Sequence, residues 1–387
     1  MTGHDALTLN PEAPPPADGG AGTREIGSDF ELVEDRYLGP DTAAPLPWEA
    51  GINVAGINAA GITYLESGRQ ALALAETELR RQGHRELHVP SYLCDTMIAP
   101  FHRNGWSLRQ LPVDSDVAVS PADLIARVIA GVLLHAPYFG RQDSPEMLAA
   151  LQTLRRRGVV VIVDETHRLF SGPSQVADLR VASLRKLLPL YDGGYVTGLP
   201  GQPTASWPEP DVSLVASEIA DLRQLASVYK TSALATRGRN DIHLAAFARA
   251  GQATARRAEP APMSIKSRGL LRHLDLPGLR ATRAANAHLL AAALGHNDRF
   301  RIVNPPAPDL LPSHLVLDTD DVSGLRRHLT GQRIFCPVHW PPSELLPRQQ
   351  DWPGRYLSLP VDHRYAAPDM LRIAAEVSSY FAGGQRR

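Results

Sequence analysis

Asp164, His167, Ser183 and Lys186 are the residues whose types and order could do chemistry. Asp164 and His167 follow the run Val159-Val160-Val161-Ile162-Val163, and Ser183 and Lys186 follow a second extended stretch, Leu179 to Ala182. An acid at one strand end and a lysine just past the next suit pyridoxal phosphate (PLP) chemistry. The amine can form a Schiff base with an aldehyde, and the carboxylate can keep a pyridine nitrogen protonated so that the ring accepts electrons. Taken singly, each residue also has an ordinary reading. Asp164 could cap the following turn, Lys186 could be solvated, and His167 and Ser183 could be polar loop and turn residues. Their conjunction, in order on consecutive strands, favours the chemistry.

The elements that must position these residues follow from periodicity. The run at 159–163 is too short for a membrane and β-branched throughout, which predicts a strand buried on both faces of a parallel sheet. Upstream, Ser67-Gly68-Arg69-Gln70 opens a helix over 71–82 that Gly83 ends. Strand signals at 87–89, 108–113 and 131–135 then alternate with helical ones at 94–103, 121–128 and 144–156. This alternation predicts an α/β fold with a mainly parallel sheet, whose ligands sit at the carboxyl ends of the strands. Residues 211–230 predict an amphipathic helix, and 237–258 continue helically. After Glu259-Pro260-Ala261-Pro262, a linker by composition, come a helix at 277–294 and strands at 313–317, 334–336 and 356–358, with helices at 322–329 and 368–381. The expected organisation is a disordered tail over 1–25, a large domain with an N-terminal arm over 26–258, and a smaller α/β domain over 259–387.

Composition excludes little but excludes it clearly. Hydrophobic residues make up 43% and charged residues 21%, as in ordinary globular chains. A formal net charge of -1 offers no electrostatic footprint for nucleic acid or an anionic membrane. Two cysteines, Cys94 and Cys336, make no disulfide framework and suit a reducing cytoplasm. No apolar stretch reaches the ~18 residues of a membrane span, and the N-terminus has no signal pattern. No metal site is expected.

With these residues the chain resembles the DegT/StrS family of sugar-aminotransferase-like enzymes, which have the fold-type I PLP-dependent architecture, from about residue 60 to the end. Ser67-Gly68-Arg69-Gln70-Ala71-Leu72 resembles the helix start that offers amides to the cofactor phosphate. Val89-Pro90-Ser91-Tyr92-Leu93-Cys94 resembles the segment that covers the pyridine ring, with Tyr92 and Cys94 as candidates. His135 to Gly140 resembles the segment before the aspartate strand, and Asp164 and His167 fall on the family's Asp-x-x-His/Gln pair. Ser183 and Lys186 fall on the phosphate-binding serine and the Schiff-base lysine. Pro337-Val338-His339 and Leu357-Ser358-Leu359-Pro360 resemble two small-domain signatures. The chain departs from the family in three places. Ser183 and Lys186 are three positions apart rather than five, Glu165 and Thr166 replace two small residues, and the asparagine loop after the lysine has only Asn240 as a candidate.

What the resemblance implies is a cytoplasmic, homodimeric, PLP-dependent aminotransferase that takes a small-molecule amino donor and a carbonyl acceptor in a biosynthetic pathway. Lys186 and Asp164 would be catalytic. Gly68, Arg69, Gln70, Tyr92, Cys94, His167 and Ser183 would join them in holding the cofactor, and His339, Arg239 and Asn240 would meet substrate. Alternatives remain open at this point. Decarboxylation, racemisation, elimination or carbon–carbon bond formation would use the same lysine and aspartate, and a non-catalytic member of the fold would use neither.

Overall fold

The computed structural model describes residues 24–39, 46–49, 61–198, 218–236, 241–257, 259–307, 310–347 and 355–383. Most of the tail expected over 1–25 lies outside these residues, as do 211–217, Arg239 and Asn240.

In chain order the strands are β1 (Ile26–Gly27), β2 (Thr63–Leu65), β3 (Glu86–Pro90), β4 (Ser107–Leu111), β5 (Val132–His135), β6 (Val160–Asp164), β7 (Leu179–Ser183), β8 (Gly194–Thr197), β9 (Phe300–Ile302), β10 (Leu315–Thr319), β11 (Ile334–Phe335) and β12 (Tyr356–Leu359). The helices are α1 (Gly68–Arg81), α2 (Asp95–Arg103), α3 (Pro121–Arg127), α4 (Pro145–Arg156), α5 (Glu218–Thr236), α6 (Asp241–Arg256), α7 (Ile265–His273), α8 (Leu276–Leu294), α9 (Val322–Gly331) and α10 (Ala367–Gly383).

Seven strands form the main sheet in the order β2-β8-β7-β6-β5-β3-β4. The five from β7 to β4 are parallel, while β8 runs antiparallel to both β7 and β2. The β-branched run is explained by what covers it. Ile162 faces one core with Leu72 and Ile98, and Val161 and Val163 face another with Leu124 and Leu151. Each of the three is fully buried, a contribution of roughly 1.5–3 kcal/mol apiece. Helix starts follow their caps: Ser67, Ser120 and Ser144 each accept from a backbone N–H of the first turn of α1, α3 and α4.

A second sheet, β12-β10-β9, is antiparallel throughout and packs with α8, α9 and α10 around Leu290, Leu325, Leu357 and Ile373. The N-terminal arm crosses to this part, where β1 pairs in parallel with β11. The expected linker at 259–262 instead runs along the main sheet: Leu65 bridges Pro262, and Glu66 N–H donates to the Ala261 carbonyl at 2.9 Å. Beyond it, Leu271, Leu274 and Leu279 share a core with Leu184 and Leu187, so α8 joins both cores. Of the helical pattern at 211–230, residues 218–230 lie in α5, which continues to Thr236. Sequence periodicity did not reveal α7, whose start is fixed by a distant partner: Asp192 accepts from Ser264 N–H at 2.9 Å and Ser264 Oγ at 2.8 Å.

Candidate active site

The carboxyl ends of β6 and β7 set the frame. Asp164 ends β6 opposite Val181 of β7, and Ser183 ends β7 opposite Gly194. The chain then makes a short 3-10 turn, Leu184–Lys186, that leaves Lys186 exposed. The ammonium of Lys186 acts electrostatically on Asp164, His167, His314 and His339, which brings together residues from four separate stretches.

Asp164 Oδ1 accepts from Thr166 N–H at 2.9 Å. Burial pushes its carboxyl up from the usual range, against the hydrogen bonds of Thr166 and the charge of Lys186. Glu165 and Thr166 brace this strand end. Thr166 Oγ1 accepts from Ser183 N–H at 2.9 Å and so ties β6 to β7. Glu165, 2% exposed, accepts from Tyr195 OH and from Ser174 N–H, both at 2.6 Å, and lies 3.5 Å from the Arg180 guanidinium.

His167 is buried beside aromatic rings. It stacks on Trp340 with centroids 5.6 Å apart and on Phe139 at 5.5 Å, and it meets His339 edge-on at 5.4 Å. Its Nδ1 accepts from Phe139 N–H at 3.4 Å, an orientation set by the left-handed backbone of Phe139 at φ 55°. His339 and His314 stand 4.9 Å apart, with His339 Nδ1 2.8 Å from Ser358 Oγ and His314 Nδ1 3.4 Å from Ser313 Oγ. Burial first lowers all three imidazoles, with Lys186 next for His167, the adjacent imidazoles next for His339, and Arg283 next for His314, which falls to about 4. They are neutral near pH 7 and able to donate or accept hydrogen bonds. His314, Trp340 and Phe139 were not singled out from the sequence. No periodic signal marks them, since they are single residues on connecting segments at strand ends.

The start of α1 lies against Ser183. A Cβ on Gly68 would meet Ser183 Cβ and N at 3.0 Å, and a Cβ on Gly194 would meet Gly68 N at 2.4 Å. Only glycine permits this close approach. Arg69, the next residue, has a buried Nε with no hydrogen-bond partner among the described residues, and burial lowers its guanidinium from its ordinary value. Helix amides, a serine and a guanidinium with an unpartnered buried Nε are donors suited to a phosphate.

Two candidates point elsewhere. The amide of Gln70 is engaged with Glu66 Oε2 at 2.9 Å and Ala261 N–H at 3.2 Å, which holds α1 to the sheet edge. Tyr92 is fully buried, with Tyr138, Trp340 and Tyr356 rings 5.2–5.7 Å away, and its carbonyl accepts from Tyr138 OH. Its face is occupied by protein. Cys94, partly exposed at the N-cap of α2 with Sγ 3.1 Å from Thr96 Oγ1, is the more accessible of the two.

The sequence matches no protein-family model and none of the curated proteins compared. Solved structures do share the fold. DesV of S. venezuelae is 19% identical over 82% of this chain and 84% of its own, with a TM-score of 0.57. A DegT DnrJ EryC1 StrS aminotransferase from Brucella abortus is 16% identical over 89% and 91%, with a TM-score of 0.58. Spr1654 from Streptococcus pneumoniae, solved in a PLP form, is 14% identical over 92% and 98%, with a TM-score of 0.61. The architecture of this chain is therefore that of the fold-type I aminotransferase structures.

Proposed function

We propose that this chain is a PLP-dependent aminotransferase of a biosynthetic pathway, taking a small-molecule amino donor and a carbonyl acceptor. The observation that carries the reading is the position of Asp164 at the carboxyl end of β6 and of Lys186 one short turn past the carboxyl end of β7, its parallel neighbour, with the lysine charge acting on the carboxyl. The fold shared with solved aminotransferases supports it. PLP, when bound, supplies an aldehyde for the lysine and a pyridinium electron sink. The α1 amides at Gly68 and Arg69, the Arg69 guanidinium and Ser183 would hold its phosphate. Asp164 would face the pyridine nitrogen, where a carboxylate keeps the proton in place. Cys94 and His167 are the neighbouring candidates for ring contact.

Lys186 would move the proton at the reacting carbon, because it is the exposed amine beside Asp164. His339, held by Ser358, and His314 offer neutral hydrogen-bonding groups to a substrate on the same side. Trp340 helps exclude water behind His167. We place the catalytic work in a large domain over 26–258 and a small one over 259–387, in a cytoplasmic homodimer. Arg239 and Asn240 remain proposed substrate or cross-subunit residues; they lie outside the described residues.

The test is reconstitution of the full chain with PLP, borohydride reduction and peptide mass spectrometry. The cofactor should become fixed to Lys186, and amine donors should change the absorbance of the loaded protein. Label on another lysine, such as Lys266, would sink the assignment. Label on Lys186 with release of carbon dioxide or racemised product would keep the site and replace the reaction.

A further inference from the structure

Glu66 is a buried carboxylate with no part in the proposed chemistry, one residue before the N-cap of α1. It is 3% exposed, and its Oε2 accepts from Gln70 Nε2 at 2.9 Å and lies 3.0 Å from the Nε of Arg257, just past α6. Its backbone joins two further segments: the N–H donates to the Ala261 carbonyl at 2.9 Å, and the carbonyl accepts from Gly193 N–H at 2.8 Å. The helix start itself is weakly capped. Ser67 Oγ accepts from Gln70 N–H at 3.4 Å, long for such a bond. In a closed capping box the Gln70 side chain would return to the Ser67 amide. Here it turns instead to Glu66 and, through Oε1, to Ala261 N–H at 3.2 Å. Burial pushes the Glu66 carboxyl up to about 7 against Arg257 and Gln70, with Asp192 adding to the rise and Arg223 opposing it. A buried charge is costly unless its partner is well placed, and Arg257 is the partner that offsets it.

We infer that Glu66, paired with Arg257, is a positioning residue that fixes the first turn of α1 for the cofactor phosphate. Its carboxylate is spent on Gln70 and Arg257 and acts through them. The tolerance at that turn is small. A Cβ on Gly194 would come within 2.4 Å of both Ser67 C and Gly68 N, so any shift of this backbone moves the amides at Gly68 and Arg69. The inference rests on the aminotransferase reading for the identity of the oxyanion; the tie between Glu66 and the start of α1 does not.

Equilibrium binding of PLP and of pyridoxal, which lacks the phosphate, to the full chain separates positioning from general support. Glu66→Ala should weaken PLP by about tenfold or more and pyridoxal by no more than about twofold, since only the phosphate meets the displaced amides. Arg257→Gln should lower the same preference for PLP, and adding it to Glu66→Ala should lose little more, because the pair acts as a unit. Glu66→Gln keeps an acceptor for Gln70 without the charge facing Arg257, and should fall between Glu66→Ala and the native protein. An unchanged preference in the single variants, or equal weakening of both compounds, overturns the inference. Arg257→Gln decides the matter if Glu66→Ala does not fold, because it removes a partly exposed side chain. If the native chain takes up no PLP, inorganic phosphate is titrated into the same variants. Glu66-dependent phosphate binding then keeps the positioning role and removes the aminotransferase reading, whereas phosphate binding that ignores Glu66, or none, overturns both.

Discussion

Replacing Arg283 with Met should loosen the lysine turn and retune a histidine of the site at the same time. Arg283 lies on α8, 2% exposed, and donates to the Leu187 carbonyl at 2.9 Å and the Ser313 carbonyl at 3.4 Å. Its guanidinium also sits 5.6 Å from the Phe170 ring centroid. A methionine fills similar space but leaves both carbonyls without that donor. A hydrogen bond from a charged group contributes roughly 1.5–3 kcal/mol, and the 3.4 Å contact belongs at the weak end. Relief of a buried charge offsets part of the loss, since burial already pulls Arg283 down to about 10. A net loss of about 2–4 kcal/mol follows. With about 2.1 cal/mol/K per residue over 387 residues, the unfolding entropy is about 0.8 kcal/mol/K, so Tm should fall by about 3–5 °C. The second readout is His314, whose imidazole is lowered by burial first and by the charge of Arg283 next. Its pKa should rise in Arg283→Met, as followed by NMR titration of the ring. A Tm within about 1 °C of native, on that same entropy scale, together with an unshifted His314, would refute the reasoning.

Asp164→Asn keeps the size of the side chain and its acceptor for Thr166 N–H while removing the charge. The PLP-loaded variant should lose on the order of 10²-fold in kcat, the scale of other electrostatic contributions in active sites, and a near-native kcat would reduce Asp164 to a turn cap. His363 is 3% exposed, stacked on Phe30 and edge-on to Tyr37, with neither ring nitrogen hydrogen-bonded among the described residues. Burial, then Arg283, pulls it to about 3, with Arg364 and Arg36 adding repulsion and Asp362 opposing them. The unfolded chain therefore binds the extra proton first, and stability is lost as pH falls below about 6.5 toward 3. His363→Phe should remove that loss, gaining about 2 kcal/mol over native at pH 5 with little change at pH 8; parallel pH profiles by thermal unfolding would contradict it.

The sequence displayed the main sheet because burial on both faces writes itself into composition: Val161 to Val163 can be nothing but a covered strand. The helices expected at 121–128 and 144–156 also have a local cause, since Ser120 and Ser144 each serve an amide three residues on. The arm was not legible in this way. β1 is two residues long and is held by partners more than 300 positions on, Ile334 through the backbone and Tyr365 through its hydroxyl to Gly27 N–H at 2.7 Å. Within the site, Asp164 and Lys186 were visible as strand-end residues, whereas no local pattern reveals that the Gln70 side-chain amide is engaged by Glu66 and Ala261. The surroundings of Tyr92 were hidden for a related reason: an aromatic beside a site reads the same in sequence whether or not it is packed against Trp340 and Tyr356.

The departures at Glu165 and Thr166 show how a site can tolerate a changed local pattern. A residue just after Asp164 can hold that carboxylate only if the strand end itself is fixed. Thr166 does this across the sheet, through Ser183 N–H, and Glu165 does it through Tyr195, Ser174 and the guanidinium of Arg180. Both side chains thus spend their polar atoms on scaffold rather than on a ligand. Ser183 is the shared point: its amide is tied to the acid strand, while its backbone and Cβ set the floor beneath Gly68. The acid strand and the α1 start thus share a contact at Ser183. Lys186 follows that residue by one tight turn, whose next carbonyl, that of Leu187, is gripped by Arg283. A shorter serine-to-lysine interval is compatible with a defined lysine position because the turn is fixed at both ends, by β7 before it and by α8 after it.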